Sequence, residues 1–573
     1  MECKVFYNNT EVKSPISKQT FLDECYIDHQ CNKQEKGQIN SIFIHPKEEI
    51  TLQKIEFHIP LSIDASAKFF CNGFQSWSET YLLDQHDNVP KLRFGAKNFF
   101  KFYGDAQFKE TEEPNLYSWS YAYIKQGQKV FFLGSLSEHI AFTLFVYKPD
   151  EKVLVATALC DNIKLAHSFP AMKLYSVEGK EQDVFDGYFN HLEKKRSNAP
   201  NSFGWTSWYK HYNNLELPVI ETELDDFAEA LPKLSNTTDT IFFQIDDGFQ
   251  KRVGDWLDLK DSFKSKMPFL AKKIKAHNLQ AGIWIAPFIC EEKSNIFKNK
   301  KDWLLKDEKG KPIKVGTNPL WSGAFYAMDI YHKEFRTYLI EVFFTYLNKW
   351  HFDLVKVDFL FAAAVQIRKN KTRGQQMHDA ICFLDELCTG KKILACGAPI
   401  GSTFGLVDYC RVSADTHLKW ENKLLKLVNK RERVSTIAAL RSTLNRWQLN
   451  RRAFVNDPDV FLLRKDNNHL TLNQQYTLLL VNVLLGGQLF TSDNLNKYTE
   501  EQLSELDNLL YYQGAEIRYV QQKFKELYLI KFNKNSKPYQ AVISLSEKAF
   551  SLNELKMEGS LEAYESIVIQ DKR

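Results

Sequence analysis

LVKVDFLFAAAV, residues 354–365, opens with an apolar run of strand length that stops on a carboxylate. Lys356 and Asp358 stand two positions apart, so on a strand they share one face. Working outward in both directions, the same unit recurs: an apolar run, a polar or Gly-containing loop, then an amphipathic stretch. Eight strand candidates can be marked, at 203–208, 240–245, 281–286, 354–357, 393–396, 409–413, 453–456 and 487–491. Helices fit between most of them, for example at 215–231, 269–277, 333–350 and 430–444, while the Gly-rich link between the fifth and sixth predicts a degenerate helix. Buried strands alternating with amphipathic helices describe a parallel sheet, and eight of them predict a (β/α)8 TIM barrel.

The flanks read differently. Before residue 195 the chain consists of short β-rich runs, such as 41–45, 54–59, 130–134, 140–147 and 152–158, which predict a β-sandwich. The polar stretch KKRSNAPN at 194–201 marks a boundary. Runs at 526–532 and 540–545 predict a small C-terminal antiparallel β-domain. The expected division is 1–198, 199–512 and 513–573.

The 573 residues carry 75 Lys+Arg against 71 Asp+Glu, a formal charge of +4, which excludes the footprint of a nucleic-acid or membrane-surface binder. No segment offers about eighteen uninterrupted apolar residues, and residues 1–10 lack a basic region followed by an apolar stretch. Ten cysteines are scattered without a CxxC pair, and Cys160, Cys290, Cys382 and Cys396 lie in apolar runs. These features together predict a cytoplasmic protein with free thiols. The histidines, including His211 and His417, show no metal-ligand spacing, so neither a metal nor another cofactor is expected.

In barrel enzymes the loops at the strands' C-terminal ends build the active site. Here the second strand ends in Asp246 and Asp247, the fourth in Lys356 and Asp358, and the sixth in Arg411 and Asp415, while the first and third supply Trp208 and Trp284. Flat rings stack on the C–H faces of a sugar, and carboxylates and cations bond its hydroxyls, so a carbohydrate is the expected ligand. Glycoside hydrolysis needs two carboxyl groups, and Asp358 and Asp415 are the candidate pair. On the shared strand face, the Lys356 ammonium is expected to favour the ionised Asp358 that a nucleophile requires. Asp246-Asp247 alone also reads as a helix N-cap or a metal site, and Asp358 as a Mg²⁺ ligand. Trp205, Trp256 and Trp303 read as packing residues, and Asp457 and Asp459 as carboxylates shaping the loop around Pro458.

Seven blocks resemble glycoside hydrolase family 36, the melibiase-type α-galactosidases. They are NGFQSWSET (72–80), GWTSWYKHY (204–212), FQIDDGFQKRVGDWL (243–257), AGIWIAPF (281–288), LVKVDFLFAAAV (354–365), LACGAPIGSTFGLVDYCRVSADT (394–416) and VNDPDVFLLR (455–464). The resemblance implies an N-terminal β-supersandwich, the barrel and a C-terminal β-domain. It further implies retaining hydrolysis through a covalent galactosyl-enzyme, with Asp358 as nucleophile and Asp415 as general acid/base. Asp246 and Asp247 would hold the 4- and 6-hydroxyls of galactose, Lys356 and Arg411 would bind ring hydroxyls, and Cys396 would sit near the 2-position. Trp208 and Trp284 would line the pocket, and Trp77 would reach over the mouth from the N-terminal domain. Phe74 stands where relatives often have another Trp, and ACGAP at 395–399 departs from the CSSGG of longer members, as in a compact branch. The implied partner is a small α-galactoside. Open alternatives are an α-N-acetylgalactosaminidase, a transglycosylase, a metal-dependent barrel enzyme and a non-catalytic carbohydrate-binding protein. Oligomeric state is not legible. Loops at 291–318 and 369–377 are expected to rim the pocket.

Overall fold

The computed structural model describes residues 2–15, 19–100, 102–104, 116–196, 198–368 and 370–571. Residue 197 of the expected boundary stretch and residue 369 of the second rim loop fall outside them. Up to Lys180 the chain forms two antiparallel sheets, one of six strands and one of eight. Alternation does the sorting. In Glu2–Tyr7, for instance, Cys3, Val5 and Tyr7 are buried while the intervening residues are half-buried.

Parallel pairing then runs in sequence order through six strands: Ser202–Thr206, Ile241–Ile245, Gln280–Ile285, Leu354–Val357, Lys392–Ala395 and Tyr409–Arg411. The seventh is split. Val455–Asp457 pairs with the sixth strand, and Val460–Phe461 pairs with the eighth, Gln488–Thr491, which pairs in turn with the first. Pro458 lacks the N–H a ladder needs, and Asp459 takes a left-handed φ of 79°, so the chain steps sideways here and joins the two ends of the curled sheet. The arrangement is consistent with a TIM barrel.

Several expected bounds shift for local reasons. The first strand ends at Thr206, and Trp208 opens a short helix, Trp208–His211, because the chain turns at Ser207. Helix 333–350 is α-helical only over Lys333–Phe344 and finishes in a π turn, Thr345–Lys349. The helix expected from 430 begins at Thr436, capped by Ser435, whose side chain accepts from the Ala438 N–H. Residues 431–433 are drawn instead to the N-terminal domain: Arg431 Nη2 donates to the Glu79 carbonyl at 2.7 Å, Ser78 Oγ to Glu432 at 2.6 Å, and Arg433 Nη1 to Glu79 at 2.5 Å. Between the fifth and sixth strands there is only a 3-10 turn, Ile400–Thr403. The C-terminal sheet has four antiparallel strands, Glu516–Phe524, Leu527–Lys534, Lys537–Ser544 and Ile567–Gln570, the first and last of which the sequence reading did not mark.

The N-terminal loop 72–80 is locked onto the curled parallel sheet. Ser76 N–H donates to the Ala398 carbonyl at 2.8 Å, and the fully buried Arg446 reaches Asn72 Oδ1 (3.0 Å) and the carbonyls of Ser76 (2.6 Å), Gln75 (3.2 Å) and Val412 (2.9 Å). One guanidinium thus satisfies acceptors on both sides of the junction. Arg446→Met is expected to destabilise by about 3–5 kcal/mol, because it takes the guanidinium donor from the buried Ser76 and Val412 carbonyls, while the Gln75 carbonyl keeps the Ser78 N–H. Because that loop carries Trp77, a raised KM should accompany the lower Tm; calorimetry and steady-state kinetics check both.

Candidate active site

The strand ends converge as a polar floor. Lys356 Nζ donates to Asp246 Oδ2 at 2.9 Å, and Gln244 Nε2 donates to the same oxygen at 2.8 Å. Asp246 N–H donates to Ser207 Oγ at 2.9 Å, and its Oδ1 accepts from the Asp247 N–H at 2.9 Å. The direct partner of Lys356 is therefore Asp246 on the second strand, reached past the third, while its charge also favours the ionised form of Asp358, as expected. Burial works against the ammonium's charge, yet Asp246 more than offsets it and raises the lysine's pKa, keeping it protonated. Asp247 accepts from Trp321 Nε1 at 2.7 Å and Gln250 Nε2 at 2.6 Å, and burial pushes its carboxyl up to about 6 against those two bonds.

Asp358 is 7% exposed and held at both oxygens, by Trp284 Nε1 at 3.0 Å and by the Phe359 N–H at 2.8 Å. Burial raises its pKa; Lys356 and the Trp284 bond lower it, and Asp415 raises it further. The clamp requires Phe359 to adopt a left-handed φ of 54°, a strained backbone immediately after the carboxylate. Phe359 packs edge-on against Trp77 at 5.0 Å, and Trp77 Nε1 donates to Cys396 Sγ at 3.2 Å. Gly397 makes this approach possible: with φ of 59°, an added Cβ would lie 2.9 Å from the Trp77 ring.

Arg411 forms the third cluster. Its guanidinium meets Asp415 Oδ1 at 2.8 Å, Asp457 Oδ2 at 3.1 Å and Asp459 Oδ1 at 2.8 Å. Burial opposes its charge, but Asp459 and Asp457 more than compensate and raise its pKa. Asp459 also accepts from the Tyr209 hydroxyl and from the Thr416 N–H, and burial lifts its carboxyl to about 6. Asp415 differs from the others in access, with 34% of its side chain exposed.

Of the ten residues singled out from sequence, nine are joined in these contacts. Trp208 stands half-buried on its short helix, 5.3 Å from Tyr212, and shares none of the contacts above. Trp205, Trp256 and Trp303 are buried packing residues. Sequence reasoning missed Trp321 and Tyr209, and it read Asp457 and Asp459 only as loop-shapers. Trp321 lies in the turn between Lys314–Asn318 and Gly323–Ala327, two strands of a three-stranded sheet inserted after the third barrel strand. Two aromatic signals, WSG at 321–323 and YAM at 326–328, were available there.

Asp247 and Asp459 titrate near 6 instead of 3.8, so between those values the folded protein holds protons that the unfolded chain has released. Their contribution to stability is present below 3.8 and is lost as pH rises through about 6. For Asp247 the shift corresponds to a cost on the order of 3 kcal/mol at neutral pH. Asp247→Asn is accordingly expected to raise Tm at pH 7, by about 1 °C per kcal/mol recovered in a chain of 573 residues. In wild type, kcat/KM should fall as pH drops through about 6; a flat profile from pH 7 to 5 contradicts the assignment.

Carboxylates, fixed cations and indole N–H groups gathered around the ends of parallel strands make a site suited to a polyhydroxylated ligand. Residues 205–386 match the Melibiase family model. Alpha-galactosidase Mel36A of Lactobacillus acidophilus is 25% identical over 154 residues, which span 27% of this chain and 20% of that protein. Among solved structures, the α-galactosidase TtGalA of Thermus thermophilus, in complex with p-nitrophenyl α-D-galactopyranoside, aligns with TM-score 0.70 at 24% identity, over 92% of this chain and 98% of that one. The GH36 α-galactosidase AgaA of Geobacillus stearothermophilus aligns with TM-score 0.64 at 11% identity, over 95% and 80%. The chain has the fold of the GH36 α-galactosidases.

Proposed function

We propose that this protein is a retaining exo-α-galactosidase acting on small α-galactosides, with Asp358 as nucleophile and Asp415 as general acid/base. The observation that carries the reading is the contrast between the two carboxylates: Asp358, inside the segment that matches the Melibiase model, is buried and clamped at both oxygens, while Asp415, beyond that segment, keeps part of its side chain exposed. A nucleophile needs a fixed trajectory, whereas a proton donor needs reach to the leaving oxygen. In the first step Asp358 bonds to the anomeric carbon, the glycosidic C–O bond breaks, and Asp415 gives its proton to the departing oxygen. In the second, Asp415 takes a proton from water, whose oxygen attacks the same carbon and frees Asp358.

Asp246 and Asp247 would accept from the 4- and 6-hydroxyls, with Lys356, Arg411 and Trp321 Nε1 supplying donors and Trp208 and Trp284 walls. Trp77 Nε1 closes on Cys396 Sγ, the thiol expected beside the 2-position, which supports galactose over N-acetylgalactosamine. The proposed framework is a closed (β/α)8 barrel over 199–512 between an N-terminal β-supersandwich (1–198) and a C-terminal β-domain (513–573). A reducing, cytoplasmic setting is supported by ten cysteines outside any disulfide, eight of them buried. TtGalA has also been solved in complex with stachyose, which supports raffinose-type oligosaccharides as substrates. The test is steady-state hydrolysis of 4-nitrophenyl α-galactoside beside the α-GalNAc, α-glucoside and β-galactoside analogues, with and without chelator. Chelator-insensitive cleavage confined to the α-galactoside is expected. Folded protein that cleaves none of the four defeats the hydrolase reading.

A further inference from the structure

Segment 430–433 sits between the loop of Asp415 and the helix Thr436–Asn445, and three of its side chains are accounted for by the N-terminal domain. Lys430 is the exception. It is 9% exposed, and its Nζ lies 4.3 Å from the ring centroid of Phe100 and 4.5 Å from that of Tyr103. Among the described residues this Nζ has neither a hydrogen bond nor an ion pair. Two ring faces compensate part of the lost hydration of an ammonium, but they satisfy none of its three N–H donors. A largely buried cation without an acceptor is costly unless something else supplies one.

Its position says what that could be. Tyr103 packs 5.4 Å from Phe361 and 6.3 Å from Trp77, and Trp77 in turn packs against Phe359, the residue that follows Asp358. On the other side, the Ser435 N–H donates to the Asp415 carbonyl at 3.0 Å and ties the segment to the acid/base loop. The ammonium therefore belongs to the wall between Trp77 and Asp415, the side on which a leaving group must lie if Asp415 protonates it. Resting on the α-galactosidase reading above, we propose that Lys430 is a specificity-determining residue for the leaving group, donating hydrogen bonds to hydroxyls of a sugar aglycone from its seat between Phe100 and Tyr103. Burial lowers its pKa to about 8, against the pull of Glu432 and Asp415, so it remains mostly cationic at neutral pH. The ion pairs and hydrogen bonds of residues 431–433 hold its backbone, so little ordering is left to be done on binding.

The experiment compares kcat/KM for melibiose, whose leaving group is a sugar, with that for phenyl α-galactoside, whose leaving group has no hydroxyl. Lys430→Met is expected to lower the melibiose-to-phenyl ratio about tenfold or more, the effect of losing a charged donor to a hydroxyl. Lys430→Arg, which keeps donors in place, should restore part of it. A purely structural lysine predicts a lower Tm with both substrates affected alike; a ratio within about twofold of wild type therefore overturns the proposal. Should Lys430→Met not fold, Lys430→Gln carries the same comparison, with a smaller loss expected because one neutral donor remains. Wild type inactive on both substrates defeats the α-galactosidase reading itself, whereas active wild type with an unmoved ratio defeats only the role of Lys430.

Discussion

Asp358→Ala is expected to lower kcat for 4-nitrophenyl α-galactoside by about 10⁴-fold or more, the scale reached when the attacking group of a covalent mechanism is removed. Added azide should then restore turnover. The reason is geometric: the deleted carboxylate leaves a small space lined by Trp284 Nε1 and the Phe359 N–H, two donors aimed where anionic oxygens had been. An azide anion can occupy that space and attack the anomeric carbon as the aryl oxygen departs. One displacement replaces two, so the product is the β-galactosyl azide, inverted from the substrate. Product analysis by NMR distinguishes this from a general loss of structure, which azide cannot repair. A variant with wild-type turnover, or an α-configured azide product, removes Asp358 from the nucleophile's place.

The strand-end logic made much of this site legible in advance because burial and chemistry mark the same residues. QIDD, KVD and RVSAD each terminate an apolar run, and a fully buried parallel strand has few other reasons to end on charge. Period two correctly places Lys356 and Asp358 on one face. It cannot say which carboxylate around the ring lies nearest the ammonium, since the stagger between strands decides that, and Asp246 won. Arg411 shows the same limit. Its bond to Asp415 lies within one short segment, but Asp457 and Asp459 reach it only because Pro458 splits the seventh strand and turns both carboxylates back onto the sixth. Trp321 was missed for another reason: its aromatic signal is present, but an inserted sheet obeys no strand period of the main sheet, so nothing in its spacing points at Asp247. The early start given to the helix at 430 reflects a polar run with good helix propensity, overridden by Glu79 and Ser78 across the domain junction.

Asp415→Ala should produce the second large effect, and its size must depend on the leaving group. Melibiose releases a sugar alkoxide that needs a proton in the transition state, so kcat/KM is expected to fall by about 10²–10⁴-fold. A 4-nitrophenolate leaves without help; for that substrate the first step survives and the second, which needs a base, becomes slow. A burst of nitrophenol followed by a low steady rate, with a lowered KM, is therefore expected for the aryl substrate. Azide again discriminates, because here it meets an intact Asp358 ester and displaces it from the opposite face, giving the α-galactosyl azide. The two variants thus predict opposite anomers from one reagent. Arg411 adds a constraint: with Asp415 gone, it still has Asp457 and Asp459 as partners, so the guanidinium stays anchored and the fold should not be lost. Equal losses on melibiose and the aryl substrate, without a burst, would place Asp415 with the binding groups, and the proton donor would have to be sought elsewhere on the mouth.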